Sequence, residues 1–148
     1  MSAVGDISNN FEKLKSELRS IKYPQTVEQA GAFEGYPFVF LPILHHVLLN
    51  YSEAFAAHIV EKGFELSGKS DARFVESIYK LLVQMFNYKP QLTKEQFFMN
   101  GFAERKIILC TEIVGLVKSK CLKIDKGSSG MNQKSREMVQ TKMKEPSV

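Results

Sequence analysis

At 148 residues the chain suits one domain with tails, and its composition, 44% hydrophobic and 24% charged, is that of an ordinary globular protein. The net charge of +4 is uneven: residues 1–121 carry 14 basic and 13 acidic groups, residues 122–148 carry 6 and 3. The body of the chain is therefore almost neutral, which argues against specific nucleic-acid binding, because that needs a concentrated basic face.

No basic start followed by an apolar run opens the chain, and Ser2 stands where N-myristoylation needs glycine. The longest apolar run, Phe38–Leu49, is interrupted by Pro42, His45 and His46 and is too short for a bilayer, which takes about 20 residues. The expectation is a soluble, cytoplasmic protein with no membrane partner.

Taken in chain order, the apolar periodicity predicts helices almost throughout. Asn9 and Glu12 have capping-box spacing ahead of a first helix over 10–22. Phe11, Leu14, Leu18 and Ile21 form its apolar stripe, and Tyr23-Pro24 ends it. Thr26 is the expected cap of a short helix over 27–33. Gly35-Tyr36-Pro37 is a turn that starts a third helix over 37–49, apolar on nearly all sides, with a kink or late start at Pro42. Ser52 opens a fourth helix over 53–62 that Gly63 stops. Ser70 or Asp71 caps a central core helix over 72–87, which Lys89-Pro90 breaks. Thr93 and Gln96 form a second capping box for a short helix that ends at Asn100-Gly101, and the last helix runs over 103–123. After Lys126 the Gly127-Ser-Ser-Gly130 break and a polar, Lys-rich remainder read as a basic tail, disordered or weakly helical.

Little in this pattern does chemistry. Cys110 and Cys121 share a helix face, but at about 1.5 Å rise per residue they lie roughly 16 Å apart along it, too far for a disulfide. His45 and His46 are adjacent and therefore diverge on a helix, and no Cys or carboxylate stands at metal-ligand spacing beside them or His58. There is no phosphate-binding glycine loop and no nucleophile elbow. The expectation is a non-enzymatic protein without cofactor, metal or catalytic residues.

The basic residues group into Lys15, Arg19 and Lys22 on the first helix, and Lys89, Lys94, Arg105 and Lys106 around the second capping box. Each set reads either as solvated surface or as a docking face for an acidic partner. Ile107, Cys110, Val114, Val117, Cys121 and Ile124 follow a 3-4-3-4 spacing. At under three heptads this favours a helix packed on the domain core over a dimer seam, and hence a monomer.

The segments Asp71-Ala-Arg-Phe-Val-Glu-Ser-Ile-Tyr-Lys-Leu-Leu, Phe86-Asn-Tyr-Lys-Pro-Gln-Leu-Thr-Lys-Glu-Gln-Phe and Gly101-Phe-Ala-Glu-Arg-Lys-Ile carry a family likeness. With Tyr23-Pro24, Leu41-Pro42-Ile43 and Asn50-Tyr51-Ser52 in the same order, they closely resemble the N-terminal domain of the centrosomal protein of 44 kDa family, over about residues 8–125. The resemblance implies an all-α, compact calponin-homology-like bundle of about seven helices, two of them short, over 8–125, with a flexible tail over 126–148. It implies a centrosomal, centriolar and spindle-pole location in the cytoskeleton, microtubules or tubulin and centriolar scaffold proteins as partners, and a role in centriole integrity and centriole-to-centrosome conversion. Charge then nominates Lys15, Arg19, Lys22, Lys89, Lys94, Arg105 and Lys106 as microtubule contacts. The alternative is a pure protein–protein scaffold module of a centriolar assembly, dimerising through the last helix.

Overall fold

A computed structural model describes the backbone of residues 3–139 and the side chains of residues 7–124. Among the described residues there are seven α-helices, one π-helical segment and no strand, so the all-α class holds. The chain divides into two units, Met1–Val117 and Lys118–Val148.

In the first unit, α1 (Ala3–Ser20) begins earlier than the capping-box spacing suggests, so Asn9 is a helix-interior residue and not a cap. Nothing between Ala3 and Asn9 forbids helix strongly enough to stop it; Gly5 is only a mild penalty. The stripe Phe11, Leu14, Leu18 and Ile21 is buried as its spacing requires. The helix ends in a Schellman turn: the Lys22 N–H donates to Arg19 O (3.1 Å) and the Tyr23 N–H to Leu18 O (3.0 Å). Lys22 occupies the left-handed position, φ 56°, that glycine usually fills.

α2 (Gln29–Glu34) starts after Glu28, without a side-chain cap, so Thr26 does not serve as one. α3 (Pro37–His45) has Pro37 at its first turn, which wastes no hydrogen bond. It carries Pro42 internally, and the register change comes one turn later, as the π-helical segment His46–Asn50 closed by Tyr51 N–H to His46 O (2.8 Å). Val39, Phe40, Ile43, Leu44, Val47 and Leu48 are buried, yet Phe38 is 64% exposed, so this region is not covered on all sides as its composition suggests.

α4 (Glu53–Glu61) is capped by Ser52, which accepts from Phe55 N–H at 3.1 Å. α5 (Asp71–Phe86) is capped by Ser70, and buries Phe74, Val75, Ile78, Leu81 and Leu82. These five belong to the apolar set that the sequence indicates as core. α6 (Lys94–Phe97) has the complete capping box: Gln96 N–H donates to Thr93 Oγ1 (3.0 Å) and Thr93 N–H to Gln96 Oε1 (3.1 Å).

α7 (Ala103–Val139) enters the first unit with Ile107, Cys110, Val114 and Val117 all fully buried. That part of the heptad-like seam is thus spent on the domain's own core. The second unit holds the remainder of α7, whose backbone stays helical through Gly127–Gly130 to Val139. The last nine positions of the expected tail lie outside the described residues.

Candidate functional site

The corner between α5, α6 and α7 is built by backbone punctuation. Asn87 ends α5 in the left-handed conformation, φ 53°, and an αL-type helix end forms as Asn87 N–H donates to Val83 O (3.1 Å), with a wider bond from Tyr88 N–H to Leu82 O (3.0 Å). Asn tolerates this conformation better than most residues. The following loop is then pinned at two points. The Tyr79 hydroxyl donates to Leu92 O at 2.7 Å, and the Tyr88 hydroxyl donates to the Glu112 carboxylate on α7. Burial pushes the Tyr79 hydroxyl up to about 12, helped by Cys110 and Glu95. Burial, the hydrogen bond to Glu112 and the charge of Glu112 also raise Tyr88, so both tyrosines stay protonated donors at neutral pH.

Between these pins the loop holds Lys89-Pro90 outward, flanked by two clefts. One, of about 440 Å³, is lined by Tyr88, Lys89, Arg105 and Glu112 among others. The second, of about 430 Å³, is lined by Lys80, Lys89, Lys94, Glu76 and Glu95 around Val83 and Pro90. Lys89 is common to both. The structure therefore brings three of the nominated residues together: Lys89 with Arg105 on one side and Lys89 with Lys94 on the other. All three are exposed. Lys80 joins them and was missed in the sequence reading. The available signal was its place on the exposed Glu76–Lys80–Gln84 row of α5, opposite the buried Phe74, Ile78 and Leu81.

Lys15, Arg19 and Lys22 line neither cleft. Lys15 is paired with Glu12 at 3.0 Å and lies 5.2 Å from the Phe11 ring centroid, so its charge is partly spent locally. Arg19 and Lys22 are exposed at the end of α1, where a cation also complements the helix dipole.

Lys106 is a correction. It is 0% exposed and is no surface contact. Its ammonium donates to Gly35 O (2.5 Å) and to Met99 O, and lies 5.7 Å from the Phe97 ring centroid. No carboxylate pairs with it among the described residues. Burial lowers its pKa from 10.5 to about 8. As the fourth residue of α7 it turns inward on the same side as the buried Ile107 and Cys110, which a one-dimensional charge count does not register.

The other titratable residues are explained by packing. The His46 Nε2 lies 2.9 Å from Ile21 O, and because a carbonyl only accepts, that nitrogen carries the proton. His45 stacks on Phe74 with centroids 3.8 Å apart. Cys110 and Cys121 are in no disulfide among the described residues, and burial pushes the Cys110 thiol up to about 12. Among the described residues no group of three His, Cys, Asp or Glu could hold a metal ion, and no helix is long and apolar enough to cross a membrane.

Residues 6–130, which include the whole of this corner, match the family model described as "Centrosomal spindle body, CEP44". The chain belongs to this family. It is 40% identical over 140 residues to the centrosomal protein of 44 kDa of Xenopus tropicalis, covering 95% of this chain and 36% of the relative. The same-named protein of Rattus norvegicus is 41% identical over 136 residues (90% of this chain, 35% of the relative). That of Homo sapiens is 41% identical over 118 residues (80% and 30%). The chain thus spans about a third of the length of the CEP44-family relatives it matches. The quoted segments from Asp71 to Ile107 that carry the likeness are the segments that build the α5–α6–α7 corner.

Proposed function

We propose that this chain is a non-enzymatic centrosomal and centriolar domain that docks on microtubules or tubulin through its exposed basic residues, and so supports centriole integrity and centriole-to-centrosome conversion. Membership of the CEP44 family supports the centrosomal location. The observation that carries the docking surface is the Lys89-Pro90 loop, pinned by the Tyr79 and Tyr88 hydroxyls, where Lys89 lines one cleft with Lys80 and Lys94 and another with Arg105. A backbone already pinned in this way loses less conformational freedom on meeting an acidic surface. Arg19 and Lys22 remain in the proposed set as a separate exposed pair, Lys15 as a weaker member, and Lys106 is excluded by its burial. A calponin-homology-like arrangement is part of the same proposal, and the seven helices are compatible with it.

Cosedimentation with microtubules tests this. Binding is expected at low salt and is expected to weaken as salt rises. Reversal of Lys89 and Arg105 to Glu should weaken it about tenfold or more, and reversal of Arg19 and Lys22 should weaken it less. No pelleting at low salt sinks the proposal, and pelleting indifferent to all four reversals sinks the assigned surface.

A scaffold reading is the second choice, and one observation favours it. The clefts beside Lys89 also carry Glu76, Glu95 and Glu112, so the face is mixed in charge. It predicts partner binding that tolerates charge reversal and fails on changes to apolar surface residues.

A further inference from the structure

The exposed Phe38 opens a second surface, away from the Lys89 loop and independent of the reading above. A groove of about 480 Å³ lies where the Tyr23–Gln25 turn meets α3, the π-helical segment and the first turn of α5. We propose that this groove docks a short extended peptide in which prolines and an aliphatic residue flank an arginine.

The walls set the apolar half of that partner. Tyr23, Pro24, Phe38, Leu41 and Pro42 line the groove. Single exposed apolar residues are common, but here Phe38, 64% exposed, lines a concavity together with four further apolar or aromatic side chains. Phe38 is also braced: its ring stacks on Tyr36 with centroids 5.4 Å apart and 23° between planes. A braced ring beside proline faces forms flat, preset ridges. Such ridges fit a polyproline II segment, which is already extended before binding and so loses little entropy.

Charge complementarity sets the rest. Asp71 is the only Asp, Glu, Lys or Arg in the lining; it is exposed and has no ion-pair partner among the described residues. Neither imidazole in the groove forms an ion pair with it among the described residues. The His46 Nε2–H is engaged with Ile21 O. His45, flat against Phe74, has its pKa lowered by burial, with Asp71 pulling weakly the other way, so it is neutral at neutral pH. The groove therefore offers one carboxylate without an ion-pair partner among the described residues, beside apolar walls. A guanidinium satisfies it best, because its planar fork pairs with both carboxylate oxygens and its face stacks on aromatic rings. Asp71 is the first residue of α5, directly after the Ser70 cap. The π-helical segment supplies His46 and Asn50 to the same groove, and π turns are frequent at functional sites.

Fluorescence anisotropy on the 148-residue chain tests this with a labelled Pro-Pro-Arg-Pro-Pro-Leu peptide. Micromolar binding is expected, with a loss of about tenfold for Asp71→Asn, the scale of one charge-assisted hydrogen bond. Phe38→Ser should cost a similar factor, and a peptide with Glu in place of Arg should not bind. Asp71→Lys repeats the charge test at an exposed position if Phe38→Ser folds poorly, and circular dichroism reports the folding of each variant. Microtubule cosedimentation of the Asp71 and Phe38 variants should stay unchanged, which separates this groove from the Lys89 surface. No binding at millimolar peptide, equal binding of the Glu peptide, or equal binding by both Asp71 variants overturns the proposal. So does light scattering that finds a dimer abolished by Phe38→Ser, since the occupant is then a second copy of the chain.

Discussion

The Lys106 ammonium lies 2.5 Å from the carbonyl oxygen of Gly35, 71 residues earlier in the chain. The same ammonium holds Met99 O, and Gly101 N–H donates to Glu34 O at 2.8 Å. One buried cation thus ties the turn after α2 to the loop before α7, where Gly101 (φ 97°) and Phe102 (φ 52°) both have left-handed backbones.

This buried cation gives the protein a pH signature. The folded-state pKa of Lys106 is about 8, below its ordinary 10.5. Above pH 8 the folded chain sheds this proton while the unfolded chain keeps it, so stability rises by up to about 1.4 kcal/mol per pH unit. Cys110 acts in the opposite sense: its folded value of about 12 exceeds the ordinary 9.0, so above pH 9 it lowers stability. Tyr79 adds to that decline above pH 10. Urea unfolding should therefore show a rise between about pH 8 and 9, little change to about pH 10 while the two slopes cancel, and a fall above that. In Lys106→Met the rise should vanish, whatever the net effect at pH 7, where losing a donor to two carbonyls opposes relief of a buried charge.

Gly35 and Gly101 should respond very differently to a methyl group. A Cβ on Gly35 would lie 2.6 Å from the Gly101 carbonyl carbon, on a backbone at φ +74°. A Cβ on Gly101 would meet nothing within 4 Å, at φ +97°. Gly35→Ala is expected to cost about 3 kcal/mol, combining overpacking with left-handed strain, and Gly101→Ala about 1–2 kcal/mol from strain alone. Equal losses in denaturant titration would contradict the backbone contact.

Lys22 in the left-handed C′ position is a place for improvement. Lys22→Gly should stabilise by about 0.5 kcal/mol, because relief of left-handed strain exceeds the larger entropy that glycine loses on folding. Asn87→Gly, at the same position of the α5 turn, should gain less. Thermal melts of the two variants give the comparison.

Thr93→Ala should cost about 1 kcal/mol, because it removes the acceptor for Gln96 N–H. Lys94, the next residue, lines the cleft with Lys89. A loosened α6 should therefore also weaken microtubule pelleting, by less than the Lys89→Glu and Arg105→Glu pair. Unchanged pelleting would detach Lys94 from the docking face.

Much of this was legible in the sequence because it is local. The Phe11–Leu14–Leu18–Ile21 stripe, the Ser52 and Ser70 caps, the Thr93–Gln96 box and the Gly63 stop depend on residues within four positions of one another. The same locality misled at Asn9 and Thr26, where a good cap type stands in the right place and the helix starts elsewhere. Capping contributes about 1 kcal/mol, and the packing of a whole helix overrides it.

By itself, then, the sequence determined the helical class, the buried face of α5, the core role of the Ile107–Cys110–Val114–Val117 row and the family. Those follow from apolar periodicity and from a long specific run of residues. Only the tertiary structure decided which charges are free. Lys106 and Arg105 are adjacent in sequence and identical in sign, yet one is sealed under Gly35 and Met99 while the other faces the Lys89 cleft. It likewise left Phe38 exposed in the groove that Asp71 also lines, while Val39, Phe40, Ile43 and Leu44 of the same helix are buried. Burial and electrostatics depend on what packs opposite a residue, and for Lys106 that neighbour lies 71 residues away.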